Sequence, residues 1–85
     1  MKKEVLERIA KLIATNNQDV RKKLQGELYH LITSAKLPFE NPETELKTKN
    51  LIINDINEFV KDQNPITIDN LKIQLAFIGE LFTEE

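Results

Sequence analysis

The sequence predicts an all-α protein, an antiparallel up-down four-helix bundle that forms one domain over residues 1–85. Apolar residues recur at spacings of three and four, which places them along one side of each helix. Breaks rich in Asn, Pro and Thr divide the chain into four such segments. The connections between them are short, and short connections favour antiparallel neighbours. No alternating run is long enough to predict a strand.

Length and composition restrict the class of protein. A chain of 85 residues suffices for one domain, and 40% hydrophobic with 31% charged residues is an ordinary globular mixture. Without cysteine, neither a disulfide framework nor a thiolate metal site is expected. The N-terminal lysines lead into an amphipathic segment and not into an apolar signal sequence, and no apolar run is long enough to span a membrane. We therefore expect a cytoplasmic protein.

The first predicted helix runs from Lys2 to Ala14 and the second from Gln18 to Lys36. The polar residues 15–17 end the first and cap the second. Pro38 stops the second, because the residue before a proline avoids the helical conformation. The apolar stripe of the first helix comprises Val5, Leu6, Ile9, Leu12 and Ile13. The stripe of the second comprises Val20, Leu24, Leu28, Leu31, Ile32 and Ala35.

A proline-containing connection precedes the third helix. Phe39 in this connection is expected to fold back onto the end of the bundle, because a phenylalanine gains little from water. Asn41 is the predicted N-cap and Pro42 the first helical residue, and the helix closes at Lys61 and Asp62. Its predicted inner face comprises Leu46, Ile52, Ile53, Ile56, Phe59 and Val60.

The fourth helix is predicted to begin with Thr67 as its N-cap, with Ile66 packing on Leu71 as a hydrophobic staple. Residues 83–85 are expected to fray. The main stripe of this helix comprises Ile68, Leu71, Leu75, Ile78 and Phe82.

Catalytic chemistry finds little support in the sequence. The single histidine, His30, projects away from the stripe of its helix and is interpreted as a solvated side chain. Ser34, the only serine, is not spaced to use His30 as a base. Both glycines lie within predicted helices, so no phosphate-binding loop is expected. Pairs of carboxylates in the sequence are explained by helix starts or exposed faces, and not by acid–base catalysis. We therefore predict no enzyme, no cofactor and no metal.

Charge is unevenly distributed along the chain. Residues 1–36 carry a net charge of +4 and residues 37–85 a net charge of −6. This distribution is either ordinary scatter on solvated faces or the mark of a bipolar molecule whose basic half faces an anionic surface. Arg21, Lys22 and Lys23 form a basic cluster that we predict to contact a partner. A nucleic-acid regulator using this cluster is an alternative, but the acidic pI near 5.4 argues against it.

The fourth helix is apolar on more than one face. Ile73 and Phe77 lie one turn apart, on the side away from its main stripe, and Leu81 lies between the two sets. Either the bundle encloses this helix almost completely, or Ile73 and Phe77 form an exposed strip that docks a partner. Leu51 also faces outward, but a single exposed leucine is common and does not by itself indicate a binding site. Tyr29 is either a boundary residue or an interface anchor.

Three segments carry a family resemblance. They are Leu37-Pro38-Phe39-Glu40-Asn41-Pro42, Ile66-Thr67-Ile68-Asp69-Asn70-Leu71 and Leu75-Ala76-Phe77-Ile78-Gly79-Glu80-Leu81. With the small size and the four-helix pattern, they resemble the immunity proteins of class IIa (pediocin-like, enterocin A type) bacteriocins. These are cytosolic proteins of Gram-positive bacteria.

The resemblance implies a function and a partner. The chain would protect its producer from its own bacteriocin by binding, at the inner face of the cell membrane, a mannose-phosphotransferase receptor that has bound the toxin. In the family, the C-terminal half is associated with recognition of the matching bacteriocin complex. The alternative is a helical adaptor or regulator, phage- or plasmid-borne, that binds a protein or forms a homodimer through Ile73, Phe77 and Leu81. We expect a monomer or a weak dimer.

Overall fold

A computed structural model describes residues 2–82, so the predicted fraying of residues 83–85 lies outside the described part of the chain. Its helices are α1 (Lys2–Ala14), α2 (Gln18–Ser34), α3 (Pro42–Lys61) and α4 (Pro65–Leu81), and no strand occurs within the described residues. The predicted all-α four-helix bundle is confirmed.

The four helices pack as a closed square in chain order. α1 and α3 each lie beside α2 and α4, whereas no Cα atoms of the diagonal pairs, α1 with α3 and α2 with α4, approach within 8 Å in this part of the chain. The square has two layers, which we call the α1–α2 layer and the α3–α4 layer. The bundle measures 38 × 24 × 19 Å. α3 is its longest helix, and its 20 residues rise about 30 Å.

Every helix contributes to the core along the bundle axis, as the stripes predict. The side chains that are buried completely, or almost so, are Val5, Ile9, Leu12, Leu28, Ile32, Ile52, Ile56, Phe59, Leu71 and Ile78. Leu6, Ile13, Val20 and Leu31 pack against them at the edges. Phe39 also packs against this core, which confirms its predicted position at the bundle end.

The second helix is two residues shorter than predicted. It ends at Ser34, and Ala35 is extended with φ −70° and ψ 147°. The chain leaves the helix early enough for Ala35 and Leu37 to be buried while Lys36 stays exposed. Burial of these two apolar side chains offsets the lost helical hydrogen bonds.

The predicted start of the fourth helix is wrong by three residues. Asn64, not Thr67, is the N-cap, and its side chain accepts hydrogen bonds from the backbone N–H groups of Ile66 and Thr67 at 2.9 and 3.0 Å. Thr67 completes a capping box, because its hydroxyl accepts the backbone N–H of Asn64 at 3.0 Å. Ile66 is 71% exposed, so the predicted staple with the buried Leu71 does not form.

Replacing Asn64 with alanine is expected to lower the free energy of unfolding by about 1 kcal/mol, because two N–H groups at the start of α4 lose their acceptor. Asn54→Ala, at an exposed position inside α3, is the matched control and is expected to change stability by less than about 0.5 kcal/mol. Urea denaturation of both variants measures the difference. Equal stabilities would contradict the assignment of Asn64 as the cap.

Leu46 was predicted on the inner face of α3, and this prediction is wrong: its side chain is 58% exposed. Near the start of α3, the inward positions belong to Glu45 and Lys49, whose side chains are only 20% and 12% exposed. These polar groups bond to the connection and to the end of α2, as described below. The remaining predicted residues of this inner face are buried or partly buried.

Candidate functional site

An apolar groove lies between α3 and α4, with a volume of about 250 Å³. We call it the α3–α4 groove, and it is lined by Thr48, Leu51, Ile52, Ile73, Gln74 and Phe77. Ile52 is fully buried in its wall, whereas Leu51, Ile73 and Phe77 are 66%, 64% and 40% exposed. Of the two interpretations of the Ile73–Phe77 strip, the structure therefore supports exposure.

The composition of α4 explains why apolar side chains remain outside. Its 17 residues include only three charged ones, Asp69, Lys72 and Glu80. Leu71 and Ile78 point into the core and are fully buried. Ile73 lies two residues after Leu71 and five before Ile78, so helical geometry turns it to the opposite side. α4 thus carries one apolar surface for the core and a second one for the groove.

A polar bridge crosses between the helices beside the groove. The side-chain amide of Gln74 donates a hydrogen bond of 2.8 Å to the Asp55 carboxylate, and so ties α4 to α3. The Gln74 Oε1 atom is buried and has no hydrogen-bond partner among residues 2–82. The hydrogen bond to Asp55 therefore fixes the Gln74 side chain in the wall of the groove.

The charge asymmetry of the sequence becomes an asymmetry of the two layers. Residues 2–36, which contain both helices of the α1–α2 layer, carry a net charge of +4, and residues 37–82, which contain the α3–α4 layer, carry −4. Because the layers occupy opposite sides of the square, the bundle has a basic side and an acidic side. The α3–α4 groove opens on the acidic side.

The predicted partner-binding residues do not form one site. Ile73 and Phe77 line the groove, but Leu81 is partly buried against the core. Arg21, Lys22 and Lys23 lie on α2, the helix diagonally opposite α4. Their partner-binding role stays a prediction. Thr48 and Gln74, which also line the groove, were missed by the sequence reasoning, because no periodicity distinguishes them from other polar residues.

The structure gives Arg21 a role within its own chain. Its guanidinium donates hydrogen bonds to the Thr15 carbonyl at 2.9 Å and to the Gln18 side chain at 3.0 Å. These bonds tie the start of α2 to the preceding connection. Lys22 and Lys23 are exposed, so the basic cluster presents two freely placed ammonium groups and one tethered guanidinium.

Glu45 and Lys49 clamp the end of α2 to α3. The Leu37 N–H donates to the Glu45 carboxylate at 2.7 Å, and Lys49 donates to the Thr33 carbonyl at 3.1 Å. This backbone hydrogen bond, with the Lys49 ammonium 3.6 Å away, holds the pKa of Glu45 below its ordinary value, against the opposing effect of partial burial. A hollow of about 320 Å³ beside them is lined in part by Glu45 and Lys49. The charged groups of both residues are already bonded within the fold.

This arrangement predicts a pH dependence. The pKa of Glu45 is lower in the folded chain than its ordinary value of 4.5, so its ionised form stabilises the fold above that value. The stabilisation is lost as pH falls through the folded pKa. The loss of stability caused by Glu45→Gln, measured by urea denaturation, should therefore shrink between about pH 5 and pH 3. Glu43→Gln, which removes an exposed pair with Lys47, is the control with little effect. A pH-independent cost would contradict this prediction.

The polar residues considered for chemistry remain apart. His30 is exposed, and its ring packs edge to face against that of Tyr29, with 6.1 Å between the centroids. Tyr29 is 53% exposed on α2, away from the groove. Among residues 2–82, no three His, Cys, Asp or Glu side chains are grouped closely enough to hold a metal ion. No helix in the same range is both long and apolar enough to cross a membrane.

Comparison with known proteins adds no relative. No family model matches the chain, and neither a curated protein nor a solved structure is significantly similar to it. The class that the geometry defines is an all-α four-helix bundle with an exposed apolar groove on its acidic side.

Proposed function

We propose that the chain is a non-enzymatic binding protein whose α3–α4 groove receives apolar side chains of a protein partner. One observation carries this proposal: Leu51, Ile73 and Phe77 stand exposed around a single groove. The other large apolar side chains that are exposed, Tyr29, Leu46 and Ile66, do not line it. Covering such side chains is favourable by about 25 cal/mol for each Å² removed from water. An aromatic residue at the centre of an apolar pocket is a typical anchor of a protein interface.

The open shape of the groove favours a protein over a small molecule, because it does not enclose a ligand. Sites for small ligands usually enclose about 300–1,000 Å³ and bury most of the ligand. The α3–α4 groove has about 250 Å³ and is open along one side. It suits one or two side chains that project from a larger partner.

The biological role that we propose is immunity against a class IIa bacteriocin. The chain would act in the cytoplasm, at the inner face of the membrane, and bind the receptor complex that carries the toxin. Support comes from the resemblance of the second half of the sequence to this family of immunity proteins. It also comes from position, because Phe77 belongs both to the last segment of that resemblance and to the groove.

A protection assay tests this role. The chain is expressed in a bacteriocin-sensitive Gram-positive host, which is then challenged with a panel of class IIa and related bacteriocins. Survival against one member, with the others still killing, is the expected result. If every member kills cells that contain the folded protein, the immunity role is wrong. The groove would then belong to an adaptor, and its partner would be sought by affinity capture with a Phe77→Glu control.

A further inference from the structure

The charges around the α3–α4 groove point to the chemistry of its occupant. Glu58 lies seven residues after Leu51, Asp69 lies four before Ile73 and Glu80 lies three after Phe77. These spacings place all three carboxylates on the same outer faces of α3 and α4 as the groove side chains, and all three are exposed. The border of the groove is therefore acidic.

Lysines offset these carboxylates only in part. Lys61 lies three residues after Glu58 and Lys72 lies three after Asp69, and both are exposed. With all four of their lysines counted, residues 37–82 still carry a net charge of −4. Lys47 stands four residues before Leu51, but its ammonium is 3.5 Å from the Glu43 carboxylate. Lys72 lies one residue before Ile73, about 100° around the helix from it and on the side away from Gln74 and α3. Asp55 adds a fourth carboxylate, partly buried and bonded to Gln74.

We infer that the groove receives an amphipathic helix whose apolar anchors are flanked by Lys or Arg. This inference rests on the proposed function. Ile73 and Phe77 are one helical turn apart, so anchors at positions i and i+4 of a partner helix match their spacing. Basic residues beside those anchors meet Glu58, Asp69 and Glu80. Such complementarity speeds association and excludes partners with acidic flanks.

A second copy of this chain fits the groove less well. Two copies would have to join their α3–α4 layers, which brings a segment of net charge −4 against an identical one. Like charges across an interface cost several kcal/mol. The acidic border thus disfavours self-association through this face.

Two synthetic helical peptides of about 14 residues provide the probe. Both carry leucines at positions i, i+4 and i+7; one has lysines on the remaining face and the other has glutamates at the same positions. We expect the lysine peptide to bind at least about tenfold more tightly at low salt, with the difference shrinking as salt rises. Equal affinity of the two peptides would overturn the inference.

Two substitutions separate groove docking from general attraction to an acidic protein. Ile73→Glu and Leu46→Glu each add one negative charge at an exposed position, but only Ile73 lines the groove. General attraction predicts unchanged or tighter binding of the lysine peptide to both variants. Docking in the groove predicts that Ile73→Glu loses at least about tenfold in affinity while Leu46→Glu retains it. Retained affinity in Ile73→Glu would overturn the inference.

The failure of this inference is distinguishable from the failure of the proposed function. Protection that depends on Phe77, together with equal binding of the two peptides, would overturn the basic helix and leave the binding role intact. A concentration-dependent doubling of mass that Ile73→Glu abolishes would also overturn it, because the groove would then be occupied by a second copy. Selective, salt-dependent binding of the lysine peptide through Ile73 supports it, whatever the protection assay shows.

Discussion

Replacing Phe59 with alanine is expected to lower the free energy of unfolding by about 3–5 kcal/mol. Phe59 is 1% exposed and is the largest of the fully buried side chains. Its ring belongs to the buried core to which all four helices contribute, and a closely packed core closes only partly over the cavity that a lost ring leaves. For a domain of 85 residues, with an expected total stability of roughly 5–10 kcal/mol, this loss is a large fraction.

Phe77→Ala is the matched control for Phe59→Ala, because it makes the same chemical change at a position that is 40% exposed. We expect it to cost about 1–2 kcal/mol, because only part of this side chain is removed from water in the folded chain. Thermal and urea denaturation of both variants give the comparison. Similar losses would mean that Phe77 is as well enclosed as Phe59, and the groove would then not be an open surface.

Replacing Phe77 with glutamate is expected to abolish protection, or binding to the partner, while leaving the helical content unchanged. A charged carboxylate in an apolar interface must be desolvated without a partner, which commonly costs several kcal/mol. Because 40% of the Phe77 side chain is already exposed in the isolated bundle, the new carboxylate can remain in water there. The expected effect is therefore large on binding and small on folding.

Leu46→Glu is the control for this functional experiment. It introduces the same charge on α3 at a side chain that is 58% exposed and lies outside the groove. Protection by Leu46→Glu should match that of the native chain. Full protection by a folded Phe77→Glu protein would refute the role of the groove, and loss of protection in both variants would show that added charge alone is harmful.

Much of the fold could be predicted from the sequence because its local signals agree. In α1 and α2 the apolar spacing marks one stripe, and every residue of those stripes is buried or partly buried. The Asn41–Pro42 pair correctly predicted an N-cap followed by the first helical residue. The same pair recurs at Asn64 and Pro65, so the sequence also carries the signal for the observed start of α4. Thr67, the predicted N-cap, instead completes the capping box that begins at Asn64.

Other features depend on contacts that periodicity does not encode. An apolar residue at helical spacing need not be buried, and Leu46 is exposed because Glu45 and Lys49 take the inward positions of its turn. The hydrogen bond from Leu37 to Glu45 joins residues in different elements, so only the structure could reveal it. Likewise, the sequence left the exposure of Ile73 and Phe77 open, because it does not tell how much of α4 its neighbours cover.

The closed square of helices also has a consequence for folding kinetics. Three of its four edges join helices that are consecutive in the chain, and only the α1–α4 edge joins helices far apart in sequence. Local contacts require little loop closure, so folding within milliseconds or faster is expected. The α1–α4 edge requires the longest closure. Substitutions that weaken the α1–α4 contact should mainly accelerate unfolding if that edge forms after the transition state.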